Sequence, residues 1–264
     1  MANYSAKDVS TLRQMTGAGM LDCKKALDET DGDIEKAAQL LREQGKAGAA
    51  KRSDREASEG AVAAVRSGDA AAVVELRCET DFVAKSAEFV ALADELAALV
   101  AAKGEDAVSE LDDEIDNLRS TLKENISVGR VRRLVAEAGQ VVDTYLHQQA
   151  GRGVNAVAVV LEGGTDELAH DIAVHIAFAK PAYLSRDEVP ADEVAAERAT
   201  LETISRNEGK PEAALEKIVE GRMNGWYKER VLLDQSYVRD EKQSIASMLG
   251  SARIVAFAQV VVGA

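Results

Sequence analysis

The sequence is poor in the residues that form disulfides, metal sites and aromatic cores. Its 264 residues include 2 cysteines, 3 histidines, 3 prolines and 1 tryptophan, and aromatic residues make up only 4%. Cys23 and Cys78 lie far apart without C-x-x-C spacing, so we expect free thiols rather than a disulfide. His170 and His175 occupy one predicted helix five positions apart, on different faces, and so cannot share a metal ion.

Long apolar runs and a positive net charge are also missing. No apolar run approaches the roughly 18 residues that a membrane span requires. The first ten residues, MANYSAKDVS, lack the apolar segment of a signal peptide. The net charge of −14 argues against a protein that binds a phosphate backbone. We therefore expect a cytoplasmic protein that contacts neither membrane nor nucleic acid directly.

Motifs of common enzyme classes are absent from the sequence. There is no H-E-x-x-H, no G-x-S-x-G and no Walker-type loop. The carboxylate pair Asp112 and Asp113 lies in an acidic predicted helix, where a solvated surface explains it better than acid–base chemistry. We expect no catalytic residue, no metal and no cofactor, and hence a protein that is not an enzyme.

The N-terminal residues predict three short helices. Ser5 and Asp8 have capping-box spacing, and an apolar stripe follows at Val9, Leu12 and Met15. A second helix should begin near Met20. A third, capped by Asp33, should end at Gly45, followed by a linker or solvated helix over 46–59. Two interpretations stay open, namely a cap on the main body or a docking module.

The rest of the sequence predicts an α+β fold, because strands and helices occur in runs rather than in strict alternation. A β-hairpin is expected over 60–78 with its turn at 67–69, and further strands at 128–137, 141–148, 153–163 and near the C-terminus. Helices are expected over 87–102, 109–124, 166–180 and 241–249. Two charged helices, 191–206 and 211–233, predict a projecting helical hairpin whose narrow seams are Val194, Leu201 and Ile204 on one helix and Leu215, Ile218 and Trp226 on the other.

Phe82 stands where the predicted hairpin gives way to a helix, in the segment RCETDFVAK. Such turns usually lie on the surface. In one interpretation Phe82 folds back onto the helix at Phe89, and Thr80 or Asp81 caps that helix. In the other, Phe82 is an exposed aromatic contact whose direction is fixed by Asp81.

Several segments resemble the elongation factor Ts family of bacterial translation factors. The longest are LRQMTGAGMLDCKKALDETDGDIEKAAQLL (12–41) and ETDFVAK (79–85). Shorter ones are ENISVGRV (124–131), YLH (145–147), HIAFAKPAYL (175–184) and EGRMNGWY (220–227). They occur in order over nearly the whole sequence, so the chain is identified as a member of that family.

The resemblance implies a domain division. Residues 1–55 would be a three-helix domain similar to ubiquitin-associated domains, with its linker. Residues 56–140 would form one sheet-and-helix core subdomain, and 141–186 with 237–264 the other. Residues 187–236 would be a coiled-coil protrusion, through which self-association is an open possibility.

The resemblance also implies a function. Members of this family are guanine-nucleotide exchange factors that bind GDP-bound elongation factor Tu, disturb its magnesium and GDP site and promote GDP release. An adaptor similar to ubiquitin-associated domains, without exchange activity, is the alternative. Some members have an extra C-terminal helix that grips the partner; this sequence ends at Ala264, so we expect that contact to be absent or made by other residues.

Candidate partner-binding residues follow from the same resemblance by position. The turn that enters the partner's G domain corresponds to Thr80, Asp81, Phe82 and Val83. Contacts of the N-terminal module correspond to Arg13, Met20, Leu21 and Lys24. Core contacts correspond to Leu122, Lys123 and His147, although Lys123 stands where the family has a small residue.

Overall fold

A computed structural model describes residues 3–50 and 52–264, and it is a mixture of helices and antiparallel sheets, as the α+β prediction requires. The first half of the chain contains α1 Ala6–Thr16, α2 Met20–Glu29, α3 Ile34–Ala50, β1 Glu59–Ser67, β2 Ala70–Cys78, α4 Asp81–Ala84, α5 Ala87–Lys103, α6 Asp112–Leu122 and β3 Ser127–Val135. The second half contains β4 Gln140–Gln149, β5 Arg152–Glu162, α7 Asp166–Ala179, α8 Ala191–Asn207, α9 Leu215–Arg230, β6 Ser236–Tyr237, β7 Asp240–Ser244, α10 Ile245–Leu249 and β8 Arg253–Val261.

Helices α1 to α3 enclose a small core of their own. The predicted capping box is confirmed, because the Ser5 side chain accepts from the Asp8 amide and the Asp8 carboxylate accepts from the Ser5 amide. The buried members of this core are Leu12, Cys23, Ala26, Leu27, Ala37 and Leu41. The predicted end of α3 at Gly45 is wrong, since the helix continues to Ala50. Gly45 is needed for close packing against Ser120 of α6 rather than for ending the helix.

The first sheet has the order β1-β2-β3, all antiparallel. The predicted hairpin is confirmed, with β1 and β2 paired from Ser67 and Ala70 outward. One face of this sheet packs on α5 and α6 through Phe89, Leu96 and Ile115. The predicted single helix over 109–124 is wrong in its first part, because Glu105–Leu111 is a 3₁₀ helix and the α-helix begins at Asp112.

The second sheet has the order β4-β5-β8 and packs on α7 and α10. The two sheets also pack on each other through Val62, Val73, Ala158 and Val260. Strand β2 therefore sends alternate residues to opposite cores, and its side chains are buried on both faces. A strand that is buried on both faces is recognised in a sequence by a continuous apolar run rather than by alternating apolar and polar residues.

Helices α8 and α9 pack on each other and are joined by ion pairs from Arg198 to Glu220 at 3.1 Å and from Arg222 to Glu208 at 2.6 Å. The predicted seams are partly wrong. Ile204 is 41% exposed whereas Ser205 is buried, and the buried residues of α9 are Leu215, Val219 and Met223. Ser205 continues from Leu201 by four residues, which keeps it on the packed face, and its hydroxyl donates to the Leu201 carbonyl at 2.7 Å.

The predicted helix over 241–249 is correct only at its end. Residues 240–244 form β7, which pairs with β6 in a two-stranded sheet. The helix begins at Ile245 because the Ser244 side chain caps it by accepting from the Ser247 amide. Within the ranges that the structure describes, no helix is long and apolar enough to cross a membrane.

Candidate functional site

Phe82 lies on the four-residue helix α4, immediately after the first hairpin. Its side chain is 83% exposed, whereas Phe89 is completely buried in the first sheet's core. The interpretation that folds Phe82 back onto the helix at Phe89 is therefore wrong. Thr80 caps α4 itself by accepting from the Val83 amide at 3.4 Å, and Ser86 caps α5 separately. The ring is an aromatic surface held at a fixed place in the fold.

The residues on either side of Phe82 attach the turn to the core and set its charge. Val83 is partly buried against the first sheet's core, and Ala84 is fully buried. The Asp81 carboxylate accepts a hydrogen bond from the Lys85 ammonium one helical turn later. This hydrogen bond is the main reason that the pKa of Asp81 lies below its ordinary value. Asp81 is consequently a carboxylate near neutral pH, beside the exposed ring.

The backbone of the turn is held by a carboxylate from another part of the chain. Glu124 Oε2 accepts from the amides of Glu79 and Thr80, each at 3.0 Å, and Oε1 accepts from the Thr80 hydroxyl. In return, Glu79 Oε1 accepts from the Asn125 amide at 2.7 Å. The two segments thus hold each other by a reciprocal set of hydrogen bonds, which we call the Glu124 clamp. No role for Glu124 was predicted from the sequence.

Cys78, the buried last residue of β2, supports the same turn from the side of the core. Its thiol donates to the Thr80 carbonyl at 3.2 Å. Burial raises the pKa of Cys78 to about 12, with the Glu124 charge adding to the effect. The thiol therefore stays protonated at neutral pH and acts as a donor. Cys78 and Cys23 are both free and buried.

Leu122 and Lys123 lie next to this turn because they directly precede Glu124. Leu122 packs partly buried against the first sheet's core. Lys123 ends α6 in the left-handed conformation, with φ at 60°. Its ammonium pairs with the Asp22 carboxylate of α2 at 3.1 Å. In this structure Lys123 connects the core to the N-terminal helices.

The N-terminal candidates lie on two successive helices, Arg13 in α1 and Met20, Leu21 and Lys24 in α2. Met20 is 62% exposed and Leu21 is 75% exposed, and Arg13 and Lys24 are exposed as well. Met15 is 60% exposed, so its assignment to the buried stripe of α1 is wrong. Met15 lies in the last turn of α1 and is not among the residues that pack in the small helical core. We call Met20 and Leu21 the N-terminal apolar surface.

His147 lies at the end of the second sheet that borders the Phe82 turn. It is exposed on β4 and is paired across the strands with Asn155. The same hairpin contains Arg152, which pairs with Glu59 at 2.8 Å, and Glu59 is paired with Cys78 across β1 and β2. Through these contacts the structure brings His147 and the Phe82 turn to neighbouring ends of the two sheets.

Phe178 is an exposed aromatic residue that was predicted only as part of a helix, within the segment HIAFAKPAYL. It is 77% exposed in the last turn of α7. The Asn155 side chain donates to the Ala177 carbonyl at 2.7 Å, so Phe178 lies at the same end of the second sheet as His147. A signal was present in the sequence, because Leu168, Ile172 and Ile176 recur every four residues along this helix and Phe178 falls on a different face.

The remaining histidines have structural partners. His175 is buried and bonded to Gln235 at 2.9 Å, and burial lowers its pKa. His170 lies 2.9 Å from the Asp143 carboxylate. Among residues 3–50 and 52–264, no group of three or more His, Cys, Asp or Glu side chains is arranged to hold a metal ion.

Comparison with known proteins gives matches over the whole chain. The family described as Elongation factor TS matches residues 79–264. Elongation factor Ts of Clavibacter michiganensis subsp. michiganensis is 48% identical over 278 residues, covering 100% of both chains. Elongation factor Ts of Clavibacter sepedonicus is also 48% identical, and that of Renibacterium salmoninarum is 47% identical over 281 residues. The matched regions include both the Phe82 turn and the N-terminal apolar surface.

Proposed function

Because the chain belongs to the elongation factor Ts family of translation elongation factors, we propose that it is the guanine-nucleotide exchange factor for GDP-bound elongation factor Tu. In this proposal it acts in the cytoplasm by contact alone, as a protein that is not an enzyme and needs no cofactor. The observation that carries it is the exposed Phe82 ring, held on a short capped helix whose backbone is fixed to the core.

The proposed mechanism is a difference in binding free energy between two states of the partner. In a GTPase, phosphate contacts and a bridging Mg²⁺ hold the nucleotide. A factor that ejects GDP must bind more tightly to the state in which those contacts are broken, and GDP must then weaken factor binding by the same ratio. A factor that binds both states equally would shift nothing.

Phe82 has the properties that this task requires. In the proposal, its ring inserts between side chains of the G domain and displaces the segments that order the magnesium ligands. Asp81, charged and beside the ring, accepts hydrogen bonds from partner groups, and Thr80 and Val83 fix the turn. Aromatic residues that become buried at the centre of an interface commonly contribute about 2 kcal/mol or more.

The other candidate residues would supply affinity rather than displacement. The N-terminal apolar surface, flanked by Arg13 and Lys24, would anchor the G domain. His147 would contact another domain of the partner from the end of the second sheet, and Leu122 would add a contact beside the turn. Lys123 is already paired with Asp22, so its contribution to the partner would be indirect.

The domain division is part of the proposal. Residues 1–55 would be the module similar to ubiquitin-associated domains. Residues 56–140, and 141–186 with 237–264, would be the two core subdomains, each built on one of the sheets. Residues 187–236 would be a coiled-coil protrusion, and self-association through it would appear as a dimer in sedimentation equilibrium.

The test is stopped-flow release of a fluorescent GDP from purified elongation factor Tu, with Phe82→Ala compared with the wild type. We expect the maximal stimulated rate to fall roughly thirtyfold, the equivalent of about 2 kcal/mol. The melting temperature of the free protein should not change, because the ring is exposed. Val135→Ala is the matched control, since Val135 is 50% exposed at the far end of the same sheet.

Each contrary outcome has a distinct meaning. If Phe82→Ala folds normally and stimulates release as fast as the wild type, the ring is not the displacing group. If the variant melts early, Phe82 is a structural residue. If the wild-type protein binds elongation factor Tu without accelerating GDP release, the adaptor alternative replaces exchange.

A further inference from the structure

The Glu124 clamp fixes the segment from which Phe82 projects, and we propose that Glu124 is a positioning residue for exchange. This inference rests on the proposed function and deepens it. Glu124 would not touch the partner. It would hold the backbone of Glu79 and Thr80 so that the ring points in one direction before the partner arrives.

The clamp satisfies several donors of the turn with a single carboxylate. One carboxylate accepts three hydrogen bonds, two from consecutive backbone amides at 3.0 Å and one from the Thr80 hydroxyl. Thr80 is also the N-cap of α4, so the clamp fixes the residue at which that helix begins. Hydrogen bonds to a charged acceptor are about twice as strong as neutral ones.

Helix α4 needs this external support because it is too short to be stable alone. It contains four residues, and forming a first helical turn is intrinsically unfavourable. Phe82 itself is 83% exposed, so packing of its ring contributes little to its direction. The direction of the Phe82 ring is therefore set by the backbone conformation of the turn, which the Thr80 cap and the Glu124 clamp hold in place.

A fixed ring matters because ordering a flexible one costs free energy when the complex forms. Preorganisation of a contact residue improves binding mainly by removing that cost. If the wedge acts in the state from which GDP leaves, a loose wedge should lower the maximal release rate. The concentration of factor that gives half the maximal rate should change less, because other surfaces supply the affinity.

The test is a double-mutant cycle between Glu124→Ala and Phe82→Ala in the GDP-release assay. We expect Glu124→Ala to lower the maximal stimulated rate roughly tenfold in the wild-type background and to have no further effect when Phe82 is already alanine. Glu124→Gln keeps one acceptor oxygen and should fall between the two. Glu188→Ala is the matched control, because Glu188 is an exposed carboxylate that, like Glu124, accepts from a backbone amide, that of Leu184 at 2.8 Å.

A second measurement separates positioning from general stability. Amide hydrogen exchange by NMR should be faster at Glu79 and Thr80 in Glu124→Ala and unchanged at Val74 in the middle of β2. Equal losses of rate in both backgrounds of the cycle would overturn the positioning role while leaving the proposed function intact. Unchanged exchange at Glu79 and Thr80 would also overturn it. If Phe82→Ala alone has no effect on release while the wild type accelerates it, the displacing role of Phe82 and the positioning role of Glu124 fail together, and the exchange function itself remains.

Discussion

Lys123 is a single residue at which backbone strain and an ion pair oppose each other. Its left-handed conformation, with φ at 60°, disfavours any residue with a side chain, and glycine would adopt it freely. The same conformation directs the ammonium to Asp22, 3.1 Å away, where both side chains remain substantially exposed. Exposed pairs of this kind contribute roughly 0–1 kcal/mol. Strain and pair therefore have similar magnitudes.

We predict that Lys123→Gly raises the free energy of unfolding by less than the relief of backbone strain alone would, because the variant also loses the ion pair with Asp22. Ala150 provides the matched control, since it has φ at 53° and no charge to lose. Ala150→Gly should stabilise the protein by about 1 kcal/mol in a urea unfolding experiment. Lys123→Gly should give between zero and that value, and in high salt the two variants should converge. If Lys123→Gly instead lowers the free energy of unfolding, the ion pair with Asp22 stabilises the protein by more than the backbone strain costs.

At the scale of secondary-structure elements, close packing and helix propensity oppose each other where α3 packs against α6. The N-terminal helices contact the core through this helix pair, together with the ion pair from Arg42 to Asp113 at 2.7 Å. A Cβ atom at Gly45 would overlap the Ser120 hydroxyl and lie 2.8 Å from Ser120 Cβ. Since Ser120 has no long flexible side chain, one helix would have to move.

Gly45→Ala therefore tests whether close packing or helix propensity dominates. Propensity alone predicts stabilisation by up to about 1 kcal/mol, and the steric overlap predicts destabilisation. We expect destabilisation, with faster tryptic cleavage between 52 and 58, and rescue by the second substitution Ser120→Gly. Gly221→Ala is the control, because Gly221 lies inside α9 with nothing within 4 Å of an added Cβ. Stabilisation by both alanine variants would contradict the packing argument.

The features that the sequence predicted are those determined by residues near one another in the chain. The Ser5 and Asp8 capping box, the hairpin turn after Ser67 and the final strand all follow from local chemistry. Contacts between distant segments were not predictable in this way. Glu124 clamps residues 44 and 45 positions earlier in the chain, and Lys123 pairs with a residue 101 positions earlier.

The candidate site illustrates the same limit. Position by position, the sequence indicated Thr80 to Val83, but it left open whether the Phe82 ring was buried, because that depends on which core lies within reach. Ile204 and Ser205 show the same limit for a helix. They are neighbours on α8, and the rotation of the helix about its axis decides which of the two is buried. The segment 240–244 became a strand because β6 offered a partner, which a helical pattern cannot reveal.

At the scale of the whole molecule, one buried carboxylate connects the two sheets. Glu75 of β2 is completely buried. Its Oε2 accepts from Arg77 at 2.8 Å and from the Arg130 amide at 3.2 Å, and its Oε1 accepts from the Gly263 amide, just after β8, at 3.3 Å. Burial by itself would raise the pKa of Glu75, but these hydrogen bonds and the Arg77 charge outweigh it and the pKa is lowered.

We predict that Glu75→Gln lowers the free energy of unfolding by roughly 3 kcal/mol at neutral pH, because it leaves buried donors and charges without their carboxylate. A pKa that is lower in the folded state stabilises that state above the unfolded value of about 4.3, and the benefit is lost as pH falls through the folded value. The difference between wild type and Glu75→Gln should therefore be constant from pH 8 to about 5 and shrink below about 4.3. Denaturant unfolding at a series of pH values measures it.

Glu162→Gln provides the comparison for this prediction. Glu162 also pairs with an arginine, Arg253, across two strands, but about half or more of each side chain is exposed, at 46% and 64%. Its loss should cost less than 1 kcal/mol, since water replaces the lost partner. If the two variants destabilise the protein equally, or if the Glu75→Gln difference persists unchanged at pH 3, then the ionised Glu75 does not hold the sheets together. Hydrophobic packing through Val62, Val73 and Ala158 would then account for their association without it.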